Sequence, residues 1–253
     1  MGALAGEDTM VACWQALARC SPGASVVRTE RTITALFPSW APLNNAILLG
    51  CPTTEAASAA AADLIPAYQD IEMTSWALWL PSRLADLGHP DEVTVVDGMT
   101  RDTTTLVMTV TLAPGLPSHP AVVRTSIEAA GLATDEPVPV TDLSAPEDVP
   151  GLQGWALVLD GAAVAGAWSY LHGSDCGIYA VGTVPAWRRR GLAAALVRHV
   201  LADAWRHGAR TASLQSTAMG QRLYETLGFT VAGRYDEWVP ASTAVTEAKA
   251  VGT

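Results

Sequence analysis

Lysine is almost missing from this chain: of fifteen lysines and arginines in 253 residues, only Lys249 is a lysine, a bias we attribute to coding composition rather than to mechanism. Charge in general is sparse, at 16% of residues, and the net formal charge is −10 with a pI near 4.8. That balance repels nucleic acid and favours cationic or amine-bearing small molecules. Cys13, Cys20, Cys51 and Cys176 show no paired CxxC spacing, which argues against a zinc site or disulfide framework and for thiols in a reducing compartment. No window approaches the roughly 18 uninterrupted apolar residues of a membrane span, and the opening "MGALAGEDTM" has neither a basic region nor an apolar core of a leader. The expectation is a cytoplasmic protein with no membrane contact, no nucleic-acid partner and no bound metal.

What is present in quantity is apolar residue, 49% of the chain, enough to bury a core in one large domain or two small ones. Helical periodicity predicts a helix over 10–20, and "TTEAASAAAADLI" predicts another behind a Thr cap over 53–65. Alternation predicts strands over 25–37, 44–50, 71–80, 92–97 and 102–113, with a short helix at 81–88 between Pro81 and Gly88. Between 114 and 152 Pro, Gly and acids concentrate, and a weak strand and short helix are all we expect there. A boundary at 116/117 divides the chain into 1–116 and 117–253. Beyond it, strands at 154–160 and 163–170 flank Asp160-Gly161, a tight-turn signal. A strand over 176–184 follows, then a helix from Gly191 to Gly208, a strand at 210–215, a helix at 218–228 and a last strand near 229–239. The tail after it has little to bury.

The segment "TVPAWRRRGLAAALVRHVLADAWRHGAR" sets three arginines and a glycine before an amphipathic helix in which Leu192, Leu196 and Val200 recur at i, i+4, i+8. A basic run is commonly a solvated turn or a nucleic-acid patch, but a strand-turn-helix context gives it another use. A helix N-terminus carries unpaired amides and the positive end of the macrodipole, so a phosphate can be held by main chain. Gly191 allows close approach, Ala193 and Ala194 keep side chains clear, and Arg188, Arg189 and Arg190 offer charge-assisted hydrogen bonds.

Hairpin, strand, Arg-x-x-Gly-x-Ala turn, long helix, strand, and a helix ending Tyr-x-x-x-Gly-Phe is an order that resembles the GNAT superfamily of acyl-CoA-dependent N-acyltransferases over about residues 154–238. The resemblance implies an α/β fold with a mixed sheet in two lobes, the C-terminal one carrying the acyl-CoA site. The N-terminal lobe, which lacks the phosphate-binding motif, is then degenerate and shapes the acceptor pocket. It implies acetyl-CoA as co-substrate and a small-molecule amine as acceptor, in a monomer or homodimer, with direct transfer and no covalent intermediate. Arg188, Gly191 and Ala193 fall on the pyrophosphate motif, with Arg189, Arg190, Leu192 and Ala194 around them. The Val184 amide, beside Thr183, falls where the family polarises the thioester carbonyl, and Tyr224 where it protonates the CoA sulfur. Thr217 replaces the Asn or Ser that many members set against the CoA arm.

The general base is the gap in this correspondence, since "CGIYAVGTV" holds no acid. His172 and Asp175, just before that strand, are the nearest candidates; a water-mediated base or one from the N-terminal half is the alternative. Two other readings stay open: a non-catalytic CoA-binding or scaffold protein, and a different acyl-CoA thioester chemistry such as decarboxylation.

Overall fold

The computed structural model describes residues 3–83, 93, 95–145 and 149–241. Helix α1 (Glu7–Cys20) turns Met10, Cys13, Trp14 and Leu17 inward. A hairpin of β1 (Ser25–Arg28) and β2 (Thr32–Leu36) follows, then β3 (Asn45–Leu48), α2 (Thr54–Gln69) and β4 (Ala77–Arg83). The long β5 (Met99–Thr111) closes the first half. Next come β6 (Val122–Thr125), α3 (Ile127–Leu132) and β7 (Val138–Pro139). The remainder is β8 (Leu152–Leu159), β9 (Ala162–His172), β10 (Asp175–Thr183), α4 (Leu192–Arg206), β11 (Thr211–Ser216), α5 (Ala218–Thr226) and β12 (Thr230–Pro240).

Eleven of these strands run side by side in the order β1-β2-β3-β4-β12-β5-β11-β10-β9-β8-β6, with β7 attached to β9. Each half contains one parallel pair, β3 with β4 and β10 with β11, joined through α2 and α4 respectively; a parallel pair requires such a crossover. At the centre the halves exchange strands. β12, the last strand, lies between β4 and β5, while β5 lies between β12 and β11. Neither half therefore completes its sheet alone.

One apolar layer contains Leu196, Val197, Val200 and Leu201 of α4 packed with Trp155, Ile178 and Leu214 of the sheet. Another sets Ala57, Ala60, Ala61 and Leu64 of α2 against Leu78 and Trp238. A third, on the α1 side, joins both halves: Trp14 and Leu17 pack with Phe37, Val107, Trp168, Tyr170 and Tyr235. Tyr235 Oη donates to buried Glu7 at 2.9 Å, which pins α1 to the exchanged strand.

Several expectations shift. The predicted strand over 25–37 is two strands, because Thr29 folds the chain back: its amide donates to Thr32 O at 2.9 Å and its Oγ1 accepts from the amides of Arg31 and Thr32. The helix expected from Pro81 is strand through Arg83, and its remainder lies outside the described residues. Pro81 fits there because pairing with β3 stops at Trp79, leaving that side of β4 no ladder bond to lose. α2 continues through Pro66 to Gln69. Of the strand expected over 92–97, residues 93, 95 and 96 are irregular and the other positions up to 94 lie outside the description.

Candidate active site

The parallel β10–β11 ladder pairs Asp175 with Thr211 through Ile178 with Leu214 and then stops. Past that point the register of β10 against β9 shifts between Tyr179 and Gly182, around Ala180 at φ 48. Such a bulge bends its strand. Here the two strands part, and between their ends opens a cleft of about 650 Å³ reaching from Ile178 and Tyr179 to the start of α4 and to α5.

The α4 end of the cleft presents bare main chain. Gly191 caps the helix at φ 76 with no side-chain bond, and the first helical amide to find its partner is that of Ala195, on Gly191 O at 3.0 Å. The amides of Leu192, Ala193 and Ala194 have no place in the helical ladder and lie along the cleft wall, with no acid in the first turn. The equivalent helix of the first half differs. Thr53 caps α2 with its side chain, accepting from Ala56 N at 3.1 Å, and Glu55 sits in the first turn. A hydroxyl and a carboxylate already take the favourable positions there, so that helix end does not offer a comparable anion site.

Arg188 and Arg189 line the cleft, and Arg188 Nε donates to Thr183 O at 3.0 Å, fastening the turn to the strand end. Arg189 adopts φ 60. Thr183, Leu192, Ala193, Ala194 and Thr217 also line it. Thr217 caps α5, its Oγ1 accepting from Gly220 N at 3.3 Å. Tyr224 reaches the cleft from α5, with its ring edge-on to Phe229 at 5.7 Å and its residue surface 8% exposed. Burial pushes its phenol up to about 12.

Four residues expected at the site are placed elsewhere. The Val184 amide donates to Val164 O at 3.0 Å, and Val184 is buried outside the cleft. Strand amides alternate in direction, so with Val184 facing β9 the amides of Val181 and Thr183 face the side where the β11 ladder has ended. The bulge at Ala180 sets that parity. Arg190 does not line the cleft but stacks 4.9 Å over Trp187, which does, and its Nη2 donates to Ala186 O at 3.3 Å. His172 lies in the β9–β10 turn at the opposite end of β10 from Thr183, about 26 Å along the strand at ~3.3 Å per residue. It borders a second cleft, of about 390 Å³, with Glu7, Asp8 and Arg28. Asp175 is at the same distant end, accepting from Thr211 Oγ1 at 2.7 Å and Ser213 Oγ at 2.6 Å.

Residues 126–229 match the family model described as "Acetyltransferase (GNAT) family". Among solved structures, a GCN5-related N-acetyltransferase from Kribbella flavida superposes with a TM-score of 0.67 at 20% identity, covering 95% of this chain and 97% of that one. A GNAT-family protein of Novosphingobium aromaticivorans gives 0.55 at 23% identity over 85% and 91%. A tandem GNAT protein from the clavulanic acid biosynthesis pathway gives 0.52 at 14% identity over 93% and 96%. At these identities the superpositions speak for shared architecture alone. No curated protein matches the chain significantly. No helix among the described residues is long and apolar enough to cross a membrane. The family match spans the hairpin, the splayed strands and the uncapped helix, so the likeness to GNAT acetyltransferases rests on residues 126–229, the segment that carries the cleft.

Proposed function

We propose that the protein is an N-acyltransferase that moves an acetyl or other short acyl group from coenzyme A to the amine of a small molecule, directly and within a ternary complex. The observation that carries this reading is the uncapped α4 N-terminus opening onto the β10–β11 cleft, beside Arg188 and Arg189 and opposite Tyr224. The amides of Leu192, Ala193 and Ala194 suit a diphosphate, with the two arginines adding charge. The Val181 or Thr183 amide is oriented to donate to a thioester carbonyl inserted between the strands. As the amine nitrogen bonds to that carbon, the oxygen turns anionic and the amide holds it. The C–S bond then breaks, the sulfur accepts a hydrogen bond from Tyr224 Oη, and the amine proton leaves to water. Residues 1–116 serve as the lobe that shapes the acceptor side and 117–253 as the acyl-CoA lobe. The test is incubation with acetyl-CoA and a panel of small amines: release of free thiol dependent on an amine is expected, and none with any amine would overturn the reading.

One observation favours a second reading. Among the described residues lining the cleft there is no carboxylate and no imidazole, which suits a protein that binds CoA without transferring its acyl group. Saturable CoA binding without thiol release would select it.

A further inference from the structure

Beyond the end of β11, the strands β5 and β12 run on. Ser216 is level with Leu106, and Leu106 with Arg234, so Thr105 and Glu237 stand past the last residue of β11, at the same end of the sheet as the acyl-transfer cleft. Glu237 lies directly across from Trp79 in the β12–β4 ladder and accepts from Thr105 Oγ1. Trp79 packs against Tyr235 at 5.1 Å, and both belong to the apolar layer on the α1 side.

The same layer brings an aromatic side chain across from the first half. Trp40, in the loop after β2, stacks on Trp168 of β9 at 6.0 Å, and Trp168 meets Tyr179, a cleft residue, at 5.2 Å. The loop is held in shape by buried Asn44, whose Oδ1 accepts from Phe37 N at 2.8 Å while Nδ2 donates to Phe37 O at 3.0 Å and Trp40 O at 3.3 Å. Trp40, Trp79, Tyr179 and Glu237 are each only partly buried.

The charge of Glu237 has no obvious use within the fold. Among the described residues no cation pairs with it; its neighbours are the Thr105 hydroxyl, the Asp102 carboxylate and the Trp79 indole. Trp79 Nε1 makes no hydrogen bond of good geometry, so its dipole favours the carboxylate without bonding it. Burial, before the repulsion from Asp102, pushes the Glu237 carboxyl above its ordinary value. A half-buried carboxylate beside an indole, matched by no cation among the described residues, is poorly satisfied until a cation arrives.

We propose that Glu237, beside Trp79 at the edge of the apolar layer that also holds the Trp40–Trp168–Tyr179 stack, is the recognition site for a cationic alkylammonium group of the acceptor. It gives the acceptor's charge a counter-ion and its alkyl stem an aromatic surface. Glu237 is a specificity residue here, not a base. The inference rests on the transferase reading for the word acceptor, but the binding it claims is measurable without turnover.

The experiment is calorimetric titration of the full chain with n-butylammonium chloride and with n-butanol, its neutral isostere. Wild type is expected to bind butylammonium at least about tenfold more tightly than butanol, a difference of roughly 1.4 kcal/mol. Glu237→Gln, which keeps the size and the Thr105 contact, should weaken butylammonium about tenfold while leaving CoA binding unchanged. Trp40→Ala, on a surface loop, should weaken it without touching the carboxylate. Equal binding of amine and alcohol, or wild-type amine affinity in a folded Glu237→Gln or Trp40→Ala protein, would overturn the proposal. Glu237-dependent amine binding without acyl transfer to any amine would sink the transferase reading and leave this one standing. Acyl transfer with the same KM for cationic amines in Glu237→Gln would do the reverse.

Discussion

The amide of Val184 donates to the carbonyl of Val164 across 3.0 Å, and this bond decides which backbone groups are left for chemistry. It ties the end of β10 to β9. By alternation it hands the amides of Val181 and Thr183 to the splay, where β11 no longer pairs. The strand before the Arg188–Gly191 turn thus has one edge used for the fold and one left outside the ladder.

Gly191 is the first place to test the donor half of the site. Its φ of 76 is strained for any other residue, although a Cβ there would meet open space. Gly191→Ala should therefore cost about 1–2 kcal/mol in stability through backbone strain alone. Gly191→Trp should in addition crowd the phosphate and abolish most of the rise in melting temperature that CoA gives the wild type. A Gly191→Trp protein that binds CoA as tightly as wild type would show that the α4 N-terminus is not the phosphate site.

The contrast between the two helices yields a second prediction. Removing the hydroxyl of Thr53, which caps α2 through Ala56 N, is expected to lower stability by about 1 kcal/mol. It should leave CoA binding untouched. Denaturant melts and CoA titration of Thr53→Ala check both halves, and a loss of CoA affinity at unchanged fold would mean the first half takes part in donor binding.

Much of this arrangement could be read from the chain, and the limits are physical. The i, i+4, i+8 run from Leu192 marked α4, and Gly191 before it marked the bare cap, because both are local. Thr53 was legible as a cap for the same reason. The exchange of β5 and β12 was not, since alternation identifies a strand but not its neighbour, and β12 pairs with residues more than a hundred positions away. That the Val184 amide is taken up by Val164 was not legible, because the bulge at Ala180 has no sequence signature of its own. His172 and Asp175 precede β10 in sequence, but the strand carries them to the far end of the sheet, away from the cleft.

Strand exchange also makes the lobes interdependent. Removing residues 1–116 would take away β5, the partner of β11, and both neighbours of β12, while uncovering the α1-side apolar layer. The fragment 117–253 is expected to aggregate or to lose cooperative unfolding. A soluble fragment with a sharp melt and unchanged turnover would refute both the interdependence and the acceptor role of the first lobe.

Tyr224 joins stability and chemistry in one side chain. Burial raises its phenol to about 12, above the ordinary value near 10. A group whose pKa is higher in the folded state contributes stability that is present in full below pH 10. That part is lost as pH climbs from about 10 through 12, because the folded state then holds the proton that the unfolded state releases. Tyr224→Phe should remove its share of the alkaline loss, visible in melts across that window. The same shift means that the phenol stays protonated in ordinary assays and places no limb on a pH–rate profile below pH 10. It also makes Tyr224 a weak acid toward a thiolate of pKa near 8.5, so the service we propose for it at the leaving sulfur is a hydrogen bond more than a completed proton transfer. We therefore expect Tyr224→Phe to lower kcat toward the lower end of the ~10² to 10⁴ range of general acid catalysis. KM for acyl-CoA should change little, as for a contact made mainly in the transition state. Unchanged kcat in a folded, CoA-binding Tyr224→Phe protein would assign the ring to packing against Phe229 and leave protonation of the sulfur to water.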